Sequence, residues 1–362
     1  MNAIKKDKML KLSTIVTGMH LNKEFGYSIN EIIKDGFEIN ARVRMDTVED
    51  NNFCMATSIG KGIIGIAKEI SKIKPDLLLV LGDRTEALAG TIAAAYMNTP
   101  IAHIHGGDSG RAGLDEPARH AITKFAHIHF PATKKSADRI IKMGEDKKNV
   151  FITGAPCIET ILNEDLLTEK EIEKKIELDL QKPLILLIQH AVSTEPEKAK
   201  EQIIETLKAI EALKYQTVII YPNSDAGGRE IIKQIKRYQH LPYIKTYKNL
   251  LQKEYLSILK YSSVMLGNSS SGIIESSSFK TPVVNIGIRQ EGRERAENVI
   301  DCDHKKDDII KAVKKALYDE DFKKRVNTCE NPYGKGKTSE LIVKILKENY
   351  LNNDILKKKL TY

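Results

Sequence analysis

Two stretches of the chain concentrate residues able to move protons. An apolar run, Leu77–Leu81, opens into Gly82-Asp83-Arg84-Thr85-Glu86. A second, Ile101–Ile104, opens into His105-Gly106-Gly107-Asp108, followed by Asp115-Glu116-Pro117 and Arg119-His120. Asp83 taken alone reads as the cap of the helix that follows, because a carboxylate at that place satisfies free backbone N–H groups. The second stretch points elsewhere. A glycine pair destabilises a turn unless the backbone must be approached closely, and clustered titratable groups are where proton affinities shift. His103 and His105 alternate, so the spacing predicts that both lie on one face of the strand. His127 and His129 alternate as well, but no acidic or cysteine partner stands at metal-ligand spacing, so they read as structural.

A different chemistry gathers in the second half. The run Leu184–Gln189 ends at His190, and Thr217–Tyr221 ends in Pro222-Asn223-Ser224-Asp225-Ala226-Gly227-Gly228. Val264–Leu266 ends in Gly267-Asn268-Ser269-Ser270-Ser271-Gly272, with Glu275 shortly after. A Gly/Ser loop feeding a helix offers free N–H groups, hydroxyls and a positive dipole end, which suits a phosphate. No Walker lysine follows, so ATP hydrolysis is not implied. Glu275 is expected in the first helical turn, reaching ribose hydroxyls rather than the repelling phosphates. Arg289, Arg293 and Arg295, in a glycine-punctuated loop, are candidates to neutralise a diphosphate.

The elements that must position these loops follow from the pattern. Short apolar runs, including also Leu12–Val16, Val150–Thr153 and Val283–Ile286, alternate with amphipathic stretches such as Thr57–Lys72, Glu86–Tyr96, Glu197–Leu213 and Tyr255–Lys260. That alternation predicts parallel sheets covered by helices on both faces. The 362 residues exceed one ordinary core. The charged, strandless segment Asn163–Leu180 separates two α/β halves, giving expected domains 1–165 and 166–336 and a C-terminal helical piece, 337–362. Ligands of such folds sit at strand C-termini, where the unusual residues collect. The net charge of +8 comes from lysines interleaved with acidic residues, a solvated surface rather than one for nucleic acid. No apolar run suits a membrane span or signal peptide. Four scattered cysteines, Cys54, Cys157, Cys302 and Cys329, exclude a CxxC site and fit a reducing cytoplasm.

Taken in order, His103–Asp108 with Asp115, Arg119–Lys124, Gln189-His190, Pro222–Gly227, Gly267–Gly272 and Gly287–Asn298 resemble the hydrolysing UDP-N-acetylglucosamine 2-epimerases, from about Leu12 to Lys347. The resemblance implies an α/β, GT-B-like fold: two Rossmann-like, doubly wound domains facing a central cleft, with a C-terminal helix returning to the first. It implies conversion of UDP-N-acetylglucosamine, or a close 2-acetamido relative, and water into UDP and a free 2-epimerised sugar through a glycal. Asp83, Asp108 and Asp115 would form the proton-transfer set, the choice of base among them open. His105 stands where some relatives carry glutamate, and His190 matches a substrate-contacting histidine. Arg84, Asn223, Asp225, Gly267, Asn268, Ser271 and Arg293 would face the ligand. Ser269 and Ser270 would hold phosphate, Glu275 the ribose, Arg289 the diphosphate, and Leu250 the uracil through its backbone. No cofactor or metal is implied, and a homodimer or homotetramer is. One departure stands out. Relatives begin with a strand ending in a Gly-Thr-Arg-like turn, whereas Met1–Lys8 resembles the middle of the helix after it. The resemblance therefore implies a longer native chain, and a first sheet missing a central strand. A non-hydrolysing epimerase, a GT-B glycosyltransferase and an inactive UDP-sugar binder are the alternatives.

Overall fold

The computed structural model describes residues 1–45, 51–110, 113–349 and 353–361. In the first half, β1 (Ile15–Thr17) pairs with β2 (Ala41–Val43), while β3 (Leu78–Leu81), β4 (Ile101–Ile104) and β5 (Ile128–Phe130) form a separate sheet. In the second half, six strands share one sheet: β6 (Leu184–Ile188), β7 (Gln216–Ile220), β8 (Ile244–Tyr247), β9 (Val264–Gly267), β10 (Val283–Ile286) and β11 (Val299–Cys302). Every ladder is parallel.

The six-stranded order, β11-β10-β9-β6-β7-β8, reverses direction between β6 and β9. That is the Rossmann order, whose switch point opens a crevice at the strand C-termini. Alternate residues of these strands supply two cores. Ile185, Leu187, Ile219, Val264, Leu266, Val284 and Ile286 pack with the helices Ala199–Leu213, Gly228–Lys236 and Lys306–Tyr318. Leu184, Leu186, Ile188, Val218 and Met265 pack on the opposite face with Glu169–Ile176 and Gln252–Tyr261. A parallel sheet buried on both faces needs continuous apolar runs, and these strands have them.

The first half follows the same rule around β4. Ile101 and Val80 meet the helices Asn52–Ile73 and Thr85–Tyr96. Ala102, Ile104, Ile128 and Phe130 meet Ile342, Ile345 and Leu346 of the helix Thr338–Asn349, which comes from the far end of the chain. Traffic runs the other way too, since Phe25 is buried in the core of the second half. The result is a GT-B-like molecule with two Rossmann-like halves whose loops meet across a cleft.

Three strands were not anticipated: β2, β8 and β11. The expected strand Val150–Thr153 is reduced to a single bridge, His129 to Val150. Its backbone still runs along β5, with the N–H groups of Phe151 and Thr153 donating to the carbonyls of His129 and Pro131 at 2.9 and 3.1 Å.

Candidate active site

The turn after β3 starts at Gly82, whose φ of +75° favours glycine. Asp83 does not cap the following helix, whose boundary residue is Arg84. Its carboxylate instead pairs with Arg119, and lies 3.9 Å from Arg293. Burial alone would raise the Asp83 carboxyl, but Arg119 and Arg293 outweigh it and hold the group below the usual range. Arg84 reaches across the cleft and donates to Asp225 at 2.7 Å.

After β4 the chain corrects one expectation. The strand stops at Ile104, and His105 adopts a left-handed φ of +64°, so it does not share the face of His103. His103 points at Gly82 and Thr123. His105 turns the other way, its Nδ1 3.0 Å from Asp108. A non-glycine residue in this region is a strained conformation that clusters at functional sites. Asp108 is 4% exposed and also accepts from Ser136 Oγ at 2.8 Å, while Arg119 donates to its carbonyl at 2.8 Å. Burial disfavours its charge, but His105, Arg293 and Arg119 together keep it ionised, well below the carboxylate range. Asp115 opens the helix Asp115–Phe125 and meets Arg289 at 3.2 Å. There burial prevails: helped by the nearby carboxylates of Asp83 and Asp225, it raises the Asp115 carboxyl against the pull of Arg289 and Arg84.

The second half contributes from the switch point. The backbone N–H of His190, just past β6, donates to Asn268 Oδ1 at 2.7 Å, and Asn268 Nδ2 returns a bond to the His190 carbonyl at 2.9 Å. The two loops flanking the crevice are thereby tied. His190 Nδ1 accepts from the N–H of Asn223 at 3.1 Å. A neutral ring with Nδ1 accepting carries its hydrogen on Nε2. Burial, joined by Arg289, lowers this imidazole to about 3. Asn223 donates to Asp225 at 2.8 Å. Gly267, with φ +125°, could carry no side chain, since a Cβ would strike the Ile188 carbonyl. Arg289 and Gln290 both donate to the Asn268 carbonyl, at 3.1 and 2.8 Å. Arg289 thus stands beside Ser269, Ser270 and Ser271, which are half-buried at the start of a one-turn helix, Ser271–Ile274.

Glu275 ends that short helix rather than sitting in its first turn, because the chain passes directly into the 3-10 turn Ser276–Phe279. Its carboxylate accepts from Tyr255 Oη at 2.9 Å, and burial raises it against that bond. Leu250 is buried in the second core, after β8. Of the loop arginines, Arg295 turns away, pairing with Asp301 at 2.5 and 2.7 Å. Arg293 stays, 3.9 Å from both Asp83 and Asp108, with its Nε buried and unbonded. Arg119, 1% exposed, is central to the site although the reading of single residues did not select it. Ser136, 28 residues from Asp108, had no signal at all in the sequence.

Arg84, Arg119, Arg289 and Arg293 thus interleave with Asp83, Asp108, Asp115 and Asp225 across the cleft. Sequence comparison now adds to this geometry. Residues 2–347 match the family profile of UDP-N-acetylglucosamine 2-epimerase. The chain belongs to that family. It is a UDP-sugar 2-epimerase. A UDP-N,N'-diacetylbacillosamine 2-epimerase (hydrolyzing) of Legionella pneumophila is 40% identical to it, over 96% of this chain and 91% of the relative. A GDP/UDP-N,N'-diacetylbacillosamine 2-epimerase (hydrolyzing) of Campylobacter jejuni is 34% identical, over 83% and 79%. Among solved structures, the UDP-GlcNAc 2-epimerase of Neisseria meningitidis bound to UDP-GlcNAc superposes with a TM-score of 0.80 at 18% identity, covering 96% of this chain and 94% of that one. Likeness at that identity speaks for the fold. Among the described residues no helix is long and apolar enough to cross a membrane.

Proposed function

We propose that this epimerase is of the hydrolysing kind, releasing UDP and a free 2-epimerised sugar from a UDP-2-acetamido sugar. The observation that carries the reading is the division of labour across the cleft. The carboxylates of Asp83, Asp108 and Asp115 gather on the first half, while Arg289, the neutral His190 and the Gly267–Ser271 loop gather at the switch point of the second. A carboxylate takes the C2 proton as the C1–O bond breaks and the diphosphate leaves, giving the glycal. Water then adds to C1 while a proton is returned to C2 from the other face. The C2 proton is poorly acidic, so the step demands that charge developing on the diphosphate be met by groups already in place. Buried arginines serve that need better than lysines, being always charged and able to grip two oxygens. The Nε2–H of His190 is a further donor.

The hydrolysing outcome is supported by the relatives at 40% and 34% identity, both described as hydrolysing. The same two favour a 2,4-diacetamido sugar over N-acetylglucosamine as the substrate. An organisation into domains 1–165, 166–336 and 337–362 belongs to this reading, as do a homodimeric or homotetrameric state and work in the cytoplasm. The unpaired state of all four cysteines suits a reducing compartment. The deciding experiment incubates the protein in deuterated water with UDP-N-acetylglucosamine or its 4-acetamido-4,6-dideoxy relative, followed by NMR. Free sugar inverted and deuterated at C2, with UDP, is the expected result. A product still bearing UDP would assign the non-hydrolysing reaction, and unchanged substrate in both tubes would point to another sugar or a binding role.

A further inference from the structure

Arg289 is the group best placed to take a diphosphate, yet it is already engaged. Its guanidinium holds the Asn268 carbonyl with one nitrogen at 3.1 Å and the Asp115 carboxylate with another at 3.2 Å. The partners come from opposite halves of the molecule, the second being the first residue of the helix Asp115–Phe125. The neighbouring arginines are committed as well, Arg84 to Asp225, Arg119 to Asp83, and Arg293 between Asp83 and Asp108. The four guanidinium charges therefore face at least as many carboxylate charges, since Glu86 also lies 3.8 Å from Arg84. A diphosphate entering this set brings two or more negative charges, and among the described residues each of the four guanidinium groups already faces a carboxylate. Two buried like charges sharing one site cannot both remain ionised cheaply, so one carboxylate must leave or take up a proton.

We infer that the substrate's diphosphate displaces Asp115 from Arg289, and that the released Asp115 takes up a proton and becomes the acid that protonates C2. This rests on the reading of the cleft as a UDP-sugar site. Asp115 is the member of the set with least to hold it. Asp108 is fixed by Ser136 and His105 as well as by arginine, Asp225 by Arg84 and Asn223, and Asp83 by the buried Arg119. Among the described residues, Asp115 is held by a single side-chain hydrogen bond, the one from Arg289. The charged groups acting on it are Asp83 and Arg84 from the turn after β3, Arg119 from its own helix, Asp225 from the loop after β7 and Arg289 from the loop after β10. Removing Arg289 from that list leaves burial and the carboxylates of Asp83 and Asp225 favouring the proton-bearing form, against Arg84 and Arg119, which are already paired with those same two carboxylates. The environments of the carboxylates are thereby driven apart, which is how one site keeps an acid beside ionised groups. In the second half-reaction the Asp115 O–H gives its proton to C2, the C1–C2 double bond supplying the electrons of the new C–H bond. The water that adds to C1 gives up a proton in turn, which restores the acid.

Binding of UDP should then carry protons with it. Calorimetric titration of the intact protein with UDP, in buffers of different ionisation enthalpy near pH 6.5, measures the number. The expected result is an uptake that exceeds that of Asp115→Asn by up to about one proton per UDP, with the ionisation of UDP itself cancelling in the difference. The sign fixes the companion measurement: a complex that holds more protons than the free protein binds more weakly as pH rises. Affinity of the native protein for UDP should thus fall relative to that of Asp115→Asn between pH 6 and 8, by at most about tenfold per pH unit, the ionisation of UDP being common to both. Asp115→Glu, which keeps a carboxyl, should retain the pH dependence and guards against a variant that merely misfolds. Equal proton uptake by the native protein and Asp115→Asn, or the same pH dependence of affinity in both, overturns the exchange while leaving UDP binding intact. Failure of the native protein to bind UDP at all overturns the site reading beneath it.

Discussion

His103 shows how a buried imidazole can matter without touching a ligand. Its Nε2 lies 2.8 Å from the Gly82 carbonyl, so that nitrogen carries the hydrogen, and Nδ1 is left as an acceptor 3.2 Å from the Thr123 hydroxyl, whose hydrogen is shared with the Arg119 carbonyl at 3.0 Å. It therefore joins the turn bearing Asp83 to the helix bearing Arg119, the two members of one ion pair. Burial lowers this ring to about 3, from an ordinary 6.5. The sign follows directly: the unfolded chain binds a proton below pH 6.5 that the folded protein refuses, so stability drops as pH falls from there. Replacing His103 by Phe leaves the half-buried Gly82 carbonyl without this partner, at about 1–3 kcal/mol, while the Thr123 hydroxyl keeps the Arg119 carbonyl at 3.0 Å. Urea denaturation at pH 7.5 should show a loss of roughly 1–3 kcal/mol, and the variant's stability should decline less between pH 6.5 and 5 than that of the native protein. An unchanged acid slope would place the titration elsewhere. In the sequence His103 and His105 were indistinguishable, two alternating histidines on one strand. Only the left-handed turn at His105 separates a positioning residue from one facing Asp108, and an L-residue at positive φ leaves no mark on composition.

At the scale of elements, the apolar strands were legible, the edge strands β1 and β3 among them, and the charged edge strands were not, for one physical reason. β6 and β10, buried throughout, are continuous apolar runs, whereas β2, β8 and β11 sit at sheet edges and carry Arg42, Lys245 and Asp301. Charged residues blunt an edge against further pairing, and they also break the apolar pattern by which a strand is recognised. The helix Asp115–Phe125 carries the element-scale prediction. Its start presents Asp115 to the cleft, while its end is held by Lys358, from the far end of the chain. The Lys358 ammonium donates to the carbonyls of Lys124 and Ala126 at 2.6 and 2.7 Å and pairs with Glu145 at 2.7 Å. A cation at a helix C-terminus stabilises it through unpaired carbonyls and the dipole, by up to about 2 kcal/mol where partly buried. Lys358→Met should therefore lower unfolding free energy by roughly 1–2 kcal/mol, read by urea denaturation, with Lys358→Arg recovering part of it. A loss no greater than that of an exposed lysine such as Lys335 would show the tail to be passive.

Across the whole molecule, the sequence pointed to two facing halves but could not say how they engage, because each cross-cleft pair joins residues more than a hundred positions apart, such as Arg84 with Asp225 and Asp115 with Arg289. The two halves are also unequal in construction. The second is built on an unbroken six-stranded sheet, with β6 and β9 paired on both sides and buried along their whole length. In the first, among the described residues, β1 pairs only with β2 and β3 only with β4, so each has one unpaired edge. Their burial reflects it: Leu81 of β3 is 54% exposed, although its neighbours in the sequence are apolar. Backbone groups without a ladder partner on one side open at lower free energy than those held on both. Hydrogen exchange followed by mass spectrometry should accordingly find peptides spanning Ile15–Thr17 and Leu78–Leu81 exchanging well before those spanning Leu184–Ile188 and Val264–Gly267. The ion pairs across the cleft oppose that difference, since opening one half strips the other of its buried charge partners, and leaving such a charge unpaired is costly. Protection equal in the two halves would mean that this coupling dominates and the molecule opens as one unit; the inequality of the sheets predicts instead that the first half loosens first.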